Sequence, residues 1–147
     1  MTERINAPGL SDPPGYSHAV VASGGRLVTT AGAVPLDADG NLVGHGDYAA
    51  QTLQALDNLR LALAAAGAGG GDVLKTTVYV VAEVRSDLSE VWRVIQESEM
   101  AAAASTLLGV SLLGYEGQLV EVEAIAVTGY QLAGGTAPSA VSDQLSC

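Results

Sequence analysis

The stretch QLVEVEAIAV, residues 118–127, decides the fold. Its β-branched and small apolar residues read as an extended strand, in which successive side chains point to opposite faces. Leu119, Glu121, Glu123, Ile125 and Val127 then share one face, and Val120, Val122, Ala124 and Ala126 share the other. The second face is wholly apolar and predicts a covering layer of helices. The first carries two carboxylates at i and i+2, whose burial is costly unless they are paired or protonated. It needs a different cover, and a small sheet with one mixed apolar and charged face commonly buries it against another subunit.

The elements that supply the helices lie upstream. Leu53, Leu56, Leu59 and Leu63 recur at helical spacing from Asp47, a plausible N-cap, to Gly67, a plausible stop. The loop GAGGGD leads to VLKTTVYVV, a β-branched strand. Residues 86–100, SDLSEVWRVIQESEM, read as a second helix, with Leu88, Val91, Trp92 and Ile95 at i, i+3, i+4 and i+7 and a cap around Ser86, Ser89 and Glu90. AAAAS extends that helix or forms the connection, and TLLGVSLL is a strand before the last one. HAVVA and RLVTTAGAV, separated by Ser23-Gly24-Gly25, read as a hairpin. PLDADGNLV is a turn-rich loop, and residues 1–17, with DPPG, are an irregular lead-in. The order strand, strand, helix, strand, helix, strand, strand predicts an α+β sandwich: one sheet with two helices packed on one face. Residues 1–130 form a single domain, and residues 131–147 have linker composition and read as a peripheral or mobile tail.

Composition narrows the function. The 147-residue chain is 48% hydrophobic and 15% charged, so it is globular and long enough for one modest core. Phe is absent and Trp92 is the single Trp, so the core is built from Leu, Val, Ala and Ile. A formal charge of -10 argues against nucleic acid and anionic membrane as partners. The single Cys147 has no internal disulfide partner and reads as an inert tail thiol. No apolar run has signal-peptide length or reaches the ~20 residues of a spanning helix, so a cytoplasmic protein is expected. His18 and His45 have no second His or Cys at ligand spacing, so no metal site is expected, and neither is a first choice as general base.

Four segments in register resemble the RidA/YjgF family of small trimeric proteins: GYSHAV, AGAVPLDADGNLVG, AAQTLQALDNLRLALAAAGAGGGDVLKTTVYV and GQLVEVEAIAV. They cover almost the whole chain from Tyr16 to Val127. The resemblance implies a chorismate-mutase-like sandwich, three copies closing their sheets into a central barrel, and ligand clefts between neighbours. It also implies hydrolysis of reactive imines and enamines such as 2-aminoacrylate, with no metal or organic cofactor. In that chemistry an Arg holds the substrate carboxylate and a Glu places a water. Tyr16, Gly32 and Glu121 match the family's cleft positions, with Glu121 as the water-positioning carboxylate. Other positions depart. Ser105 falls where deaminating members carry the Arg, and no basic residue lies between Arg93 and the C-terminus. Trp92 stands about where many members carry Asn, and Ala33 where a Gln often follows the Gly.

Glu121 is therefore the candidate catalytic residue, and Tyr16, Gly32, Ala33, Trp92 and Ser105 are candidate ligand contacts. Glu123 is expected to be structural, paired with Lys75 or a backbone donor. Ser105 has no local base or elbow motif and is not expected to act as a nucleophile. The expected protein is a homotrimer that acts on, or binds, a reactive imine, enamine or carbonyl compound without being a standard 2-aminoacrylate deaminase. The alternative is a non-catalytic small-molecule binder or regulator. An RNA-cleaving protein is the weakest reading, because the chain lacks a basic groove.

Overall fold

The computed structural model describes residues 2–129; the expected tail at 131–147, with Cys147, lies outside them. The described residues form six strands and two α-helices: β1 Thr2–Ile5, β2 Ala19–Ala22, β3 Arg26–Thr29, α1 Tyr48–Ala65, β4 Val73–Val81, α2 Arg85–Gln96, β5 Ala104–Val110 and β6 Val120–Thr128, with a short 3-10 helix at Gly70–Asp72 before β4. β3, β6, β4 and β5 form a four-stranded sheet in that order, while β1 and β2 pair separately. β4 and β5 are parallel and α2 is their crossover. Parallel neighbours need such a connection, because a tight turn reverses the chain. The other ladders are antiparallel.

The opening stretch behaves as its alternation requires. Val120, Val122, Ala124 and Ala126 are all buried, in one core with Leu56, Leu59 and Leu63 of α1 and Val91 and Ile95 of α2. The opposite face carries Glu121, Glu123 and Ile125 beside Tyr79, Thr77 and Lys75 of β4. Leu27 and Ile125 of that face are exposed, at 70% and 40%. The sheet therefore has a helix-covered side and an open side.

Both ends of α1 follow its sequence. The Asp47 carboxylate accepts from the Ala50 N–H at 2.9 Å, satisfying one of the free donors of the first turn. At the other end Gly67 takes φ +80°, and the Gly67 and Ala68 N–H groups donate back to Ala64 and Leu63. This is a Schellman stop, and it needs the left-handed residue that glycine supplies. Asp47→Ala is expected to cost about 1 kcal/mol of stability, with Asp47→Asn retaining most of it, as read by urea denaturation. Equal stability of the Ala and Asn variants would remove the cap's role.

Several expectations are corrected. The lead-in is not wholly irregular, because Thr2–Ile5 is a strand along β2. β2 and β3 do not pair as a hairpin: Gly24 and Gly25, at φ +77° and +94°, turn the chain from one sheet to the other. Leu53 does not join the buried stripe and is 57% exposed, whereas Gln51, Thr52 and Ala55 are buried. Gln51 is held there by bonds to the Gly44 and Gly117 carbonyls and the Leu119 N–H, so a polar residue takes the place expected of an apolar one. α2 ends at Gln96, and its cap is the Asp87 carboxylate, which accepts from the Glu83 and Val84 N–H groups. Those bonds hold the Asp87 carboxyl below its usual range. β5 begins at Ala104, inside the stretch read as a connection.

Candidate active site

The first half of the site lies on the helix-covered side, at the edge strand β5. Ser105 stands opposite Thr76 of β4, and the two hydroxyls are 2.8 Å apart. Beside Ser105 opens a cavity of about 290 Å³ lined by Pro14, Tyr16, Trp92, Ser105 and Leu107. Tyr16 meets Trp92 edge to face, with ring centroids 6.1 Å apart and planes at 69°.

The loop that brings Tyr16 there is fastened to α2. The Trp92 Nε1–H donates to the Pro14 carbonyl at 3.0 Å, and Gln96 Nε2 donates to the same oxygen at 2.7 Å. Gly15 follows at φ +93°, and a Cβ there would sit 3.0 Å from the Gln96 amide. Trp92 thus spends its only polar atom on the loop and offers the cavity an apolar ring. A groove continues past Trp92 along α2 to Leu88, Ser89 and Arg85. Among the described residues no charged side chain lines the cavity itself.

The second half lies on the open side, at β6. Ala33 bridges Val122: the Ala33 N–H donates to the Val122 carbonyl at 2.7 Å, and the Val122 N–H donates to the Ala33 carbonyl at 3.1 Å. Between this bridge and the pair Thr29↔Ile125, three residues on one strand face two on the other, which is a β-bulge. Gly32 lies in the bulge, and the Glu121 side chain packs against its bare Cα. A Cβ at Gly32 would fall 2.5 Å from Glu121 Cδ and 2.8 Å from Oε1. No hydrogen bond of the Gly32 backbone occurs among the described residues, so its N–H and C=O are left to other partners. Ala33 spends both of its backbone groups on β6 and acts in holding the strand.

Glu123 is paired, but not with Lys75. Tyr79 lies diagonally across the ladder and its phenol donates to Glu123 Oε1, while the Lys75 ammonium donates to Thr106 Oγ1 at 2.6 Å. The bond to Glu123, with desolvation and the charges of Glu123 and Glu121 adding to it, raises the Tyr79 phenol above its ordinary range. His18 Nδ1 accepts from the Ala7 N–H at 3.0 Å, which gives that ring a structural task. His45 is exposed beside Gly117. Among the described residues no group of three His, Cys, Asp or Glu side chains is placed to hold a metal.

The sequence-derived candidates thus fall into two sets. Tyr16, Trp92 and Ser105 meet around one cavity, while Gly32, Ala33 and Glu121 meet at the bulge. Ser105 faces the helices with Thr76, and Glu121 faces away from them with Tyr79, so the sheet itself separates the sets. Thr76, Gln96 and Leu107 were not singled out from sequence. Gln96 lies one helical turn after Trp92, a usable signal, whereas Thr76 is placed by a parallel register that sequence does not reveal.

An α+β sandwich with two helices on one face of the sheet is what the resemblance implies, and direct comparison agrees. Residues 7–128 match the family model for endoribonuclease L-PSP. The chain belongs to the RidA/YjgF family. A RutC family protein of Pyrococcus horikoshii is 35% identical over 122 residues, covering 82% of this chain and 91% of that protein. A 2-iminobutanoate/2-iminopropanoate deaminase of Escherichia coli is 41% identical, but only over 56 residues, 38% of this chain and 43% of the deaminase. Among solved structures, the Rid family protein YyfB of Yersinia pestis superposes with a TM-score of 0.80 at 37% identity, covering 86% of this chain and 98% of that one. Escherichia coli TdcF with bound serine gives a TM-score of 0.61 at 28% identity, covering 83% and 93%. Among the described residues no helix is long and apolar enough to cross a membrane.

Proposed function

We propose that this RidA-family chain is a cytoplasmic homotrimer that acts on, or binds, a reactive imine, enamine or carbonyl metabolite in clefts between subunits. It needs no cofactor and differs from a standard 2-aminoacrylate deaminase. The observation that carries this reading is the split of the family's cleft positions between the two faces of one sheet. One chain keeps Ser105 and Glu121 apart, and a neighbour's open face set against the Tyr16–Trp92–Ser105 cavity joins them. Polar pairs already made on the open face, Tyr79 with Glu123 and Lys75 with Thr106, fit it for burial. The exposed Leu27 and Ile125 add apolar surface to the same face.

In this cleft the free Gly32 N–H and C=O meet the reacting group and Glu121 accepts a hydrogen bond from the attacking water. The absence of a cation at Ser105 favours ligands without an essential carboxylate. It also favours the second reading, a non-catalytic small-molecule binder or regulator, because the lost group is the one that fixes substrate orientation. RNA is the weakest candidate at a net charge of -10. The 131–147 tail is proposed to lie outside the folding unit.

Light scattering tests the assembly on which either reading depends. The expected mass is three times the 14.8 kDa of one chain. A stable monomer at micromolar concentration would leave Ser105 and Glu121 on separate faces and remove the shared cleft.

A further inference from the structure

The hydroxyl pair at the wall of the cavity has a proton order that packing dictates. Thr76 is 1% exposed, and its Oγ1 has one partner among the described residues, Ser105 Oγ at 2.8 Å. Either hydroxyl is chemically able to donate. If Ser105 donated, the Thr76 proton would be buried with no acceptor, a state that native interiors avoid. If Thr76 donates, its proton is satisfied and the Ser105 proton is left over. Ser105 is only partly buried and lines the cavity, so its O–H is the donor that remains for an occupant.

The rest of the wall sharpens the choice of occupant. The Trp92 N–H is spent on Pro14, and the Tyr16 hydroxyl has no partner among the described residues. Among the described residues the cavity offers two neutral hydroxyls on an apolar wall and no charge. We propose that it selects ligands bearing a neutral hydrogen-bond acceptor, a carbonyl of the ester, amide or ketone kind, seated on the Ser105 hydroxyl. Buried Thr76 is the positioning residue that turns that hydroxyl toward the ligand. This rests on the reading of the cavity as half of a small-molecule cleft. A carboxylate in the same place would lose its hydration and find no counter-charge, in a chain already at -10.

The test is calorimetric titration of the full-length protein with a matched pair, methyl 2-oxobutanoate and 2-oxobutanoate. The ester is expected to bind at least tenfold tighter than the acid. Thr76→Val, which keeps the branched shape and removes the donor, is expected to weaken the ester about threefold to tenfold, the worth of about one neutral hydrogen bond. Thr76→Ser is expected to restore ester binding, which a purely structural role for Thr76 does not require. Should Thr76→Val fail to fold, Ser105→Ala carries the same test through loss of the ester preference. Equal binding of the two probes, or tighter binding of the acid, overturns the proposal and leaves the cleft reading standing. Unchanged ester affinity in a folded Thr76→Val protein overturns the positioning role. Failure of both probes to bind at millimolar concentration removes the cleft reading and the proposal with it.

Discussion

Leu59→Ala is expected to destabilise the protein by about 2–5 kcal/mol, while Leu53→Ala and Leu61→Ala on the same helix shift it by about 0.5 kcal/mol or less. Leu59 is fully buried in the core cluster that also holds Val122 and Ala124 of β6, where truncation leaves a cavity. Leu53 and Leu61 are 57% and 69% exposed, so they lose little on truncation. The measurement is the urea midpoint of each variant at one fixed protomer concentration, because assembly adds to apparent stability by mass action. A Leu53 effect as large as that of Leu59 would mean that a neighbouring molecule covers this side of α1. A small Leu59 effect would contradict the core as described.

That contrast marks what the sequence disclosed about the fold. Strict alternation over residues 118–127 exposed both the inner face of β6 and the odd placement of Glu121 and Glu123, because a period of two leaves no freedom once one face is apolar. The α1 stop at Gly67 was readable because a left-handed residue has few substitutes. Leu53 misled because a Leu at helical spacing does not say which turn meets the sheet. The stripe shifts to Thr52, Ala55 and Leu56, and Gln51 is buried through three bonds, two of them with residues distant in sequence, Gly117 and Leu119. The β2–β3 hairpin misled for a related reason. Two glycines announce a turn, but the strand that pairs with β2 is decided elsewhere, here by Thr2–Ile5.

The candidate site was legible as a set of residues and not as a place. Tyr16, Trp92 and Ser105 converge although 89 positions separate the first from the last, since the register of β5 on β4 and the bonds from Trp92 and Gln96 to Pro14 bring them together. Nothing in the order of residues announced that Glu121 would end on the other side of the sheet from Ser105. That separation comes from the odd–even phase of two strands in a shared sheet. It changes the meaning of the Ser105 position: within one chain the position without a cation and the Glu121 carboxylate lie on opposite faces of the sheet, so only in the proposed trimer do the two meet, across subunits.

Little or no 2-aminoacrylate deaminase activity is therefore expected of the wild-type protein, and Ser105→Arg is expected to create it. A guanidinium in a partly buried cleft binds a carboxylate through two parallel charge-assisted bonds, giving both affinity and orientation. Losing one such contact costs about 1.5–3 kcal/mol, roughly ten- to more than a hundredfold in rate when the contact is made in the transition state. Among the described residues the wall at Ser105 supplies hydroxyls and no cation, and Arg85 lines the adjoining groove on the other side of Trp92. Glu121 remains in the proposed cleft and repels an anionic substrate once no cation opposes it. Restoring the cation at residue 105 reverses both effects, in a cavity of about 290 Å³ that opens beside the Ser105 side chain. The assay couples the protein to a serine or threonine dehydratase that generates the imine and follows its disappearance above the uncatalysed rate. A gain of tenfold or more in Ser105→Arg, abolished again by adding Glu121→Gln, supports the electrostatic argument and the water-positioning role of Glu121 together. Robust turnover by the wild type would show that another group holds the carboxylate. A folded, trimeric Ser105→Arg protein with no gain would favour the non-catalytic binder, because scaffold, carboxylate and cation would then all be present without chemistry.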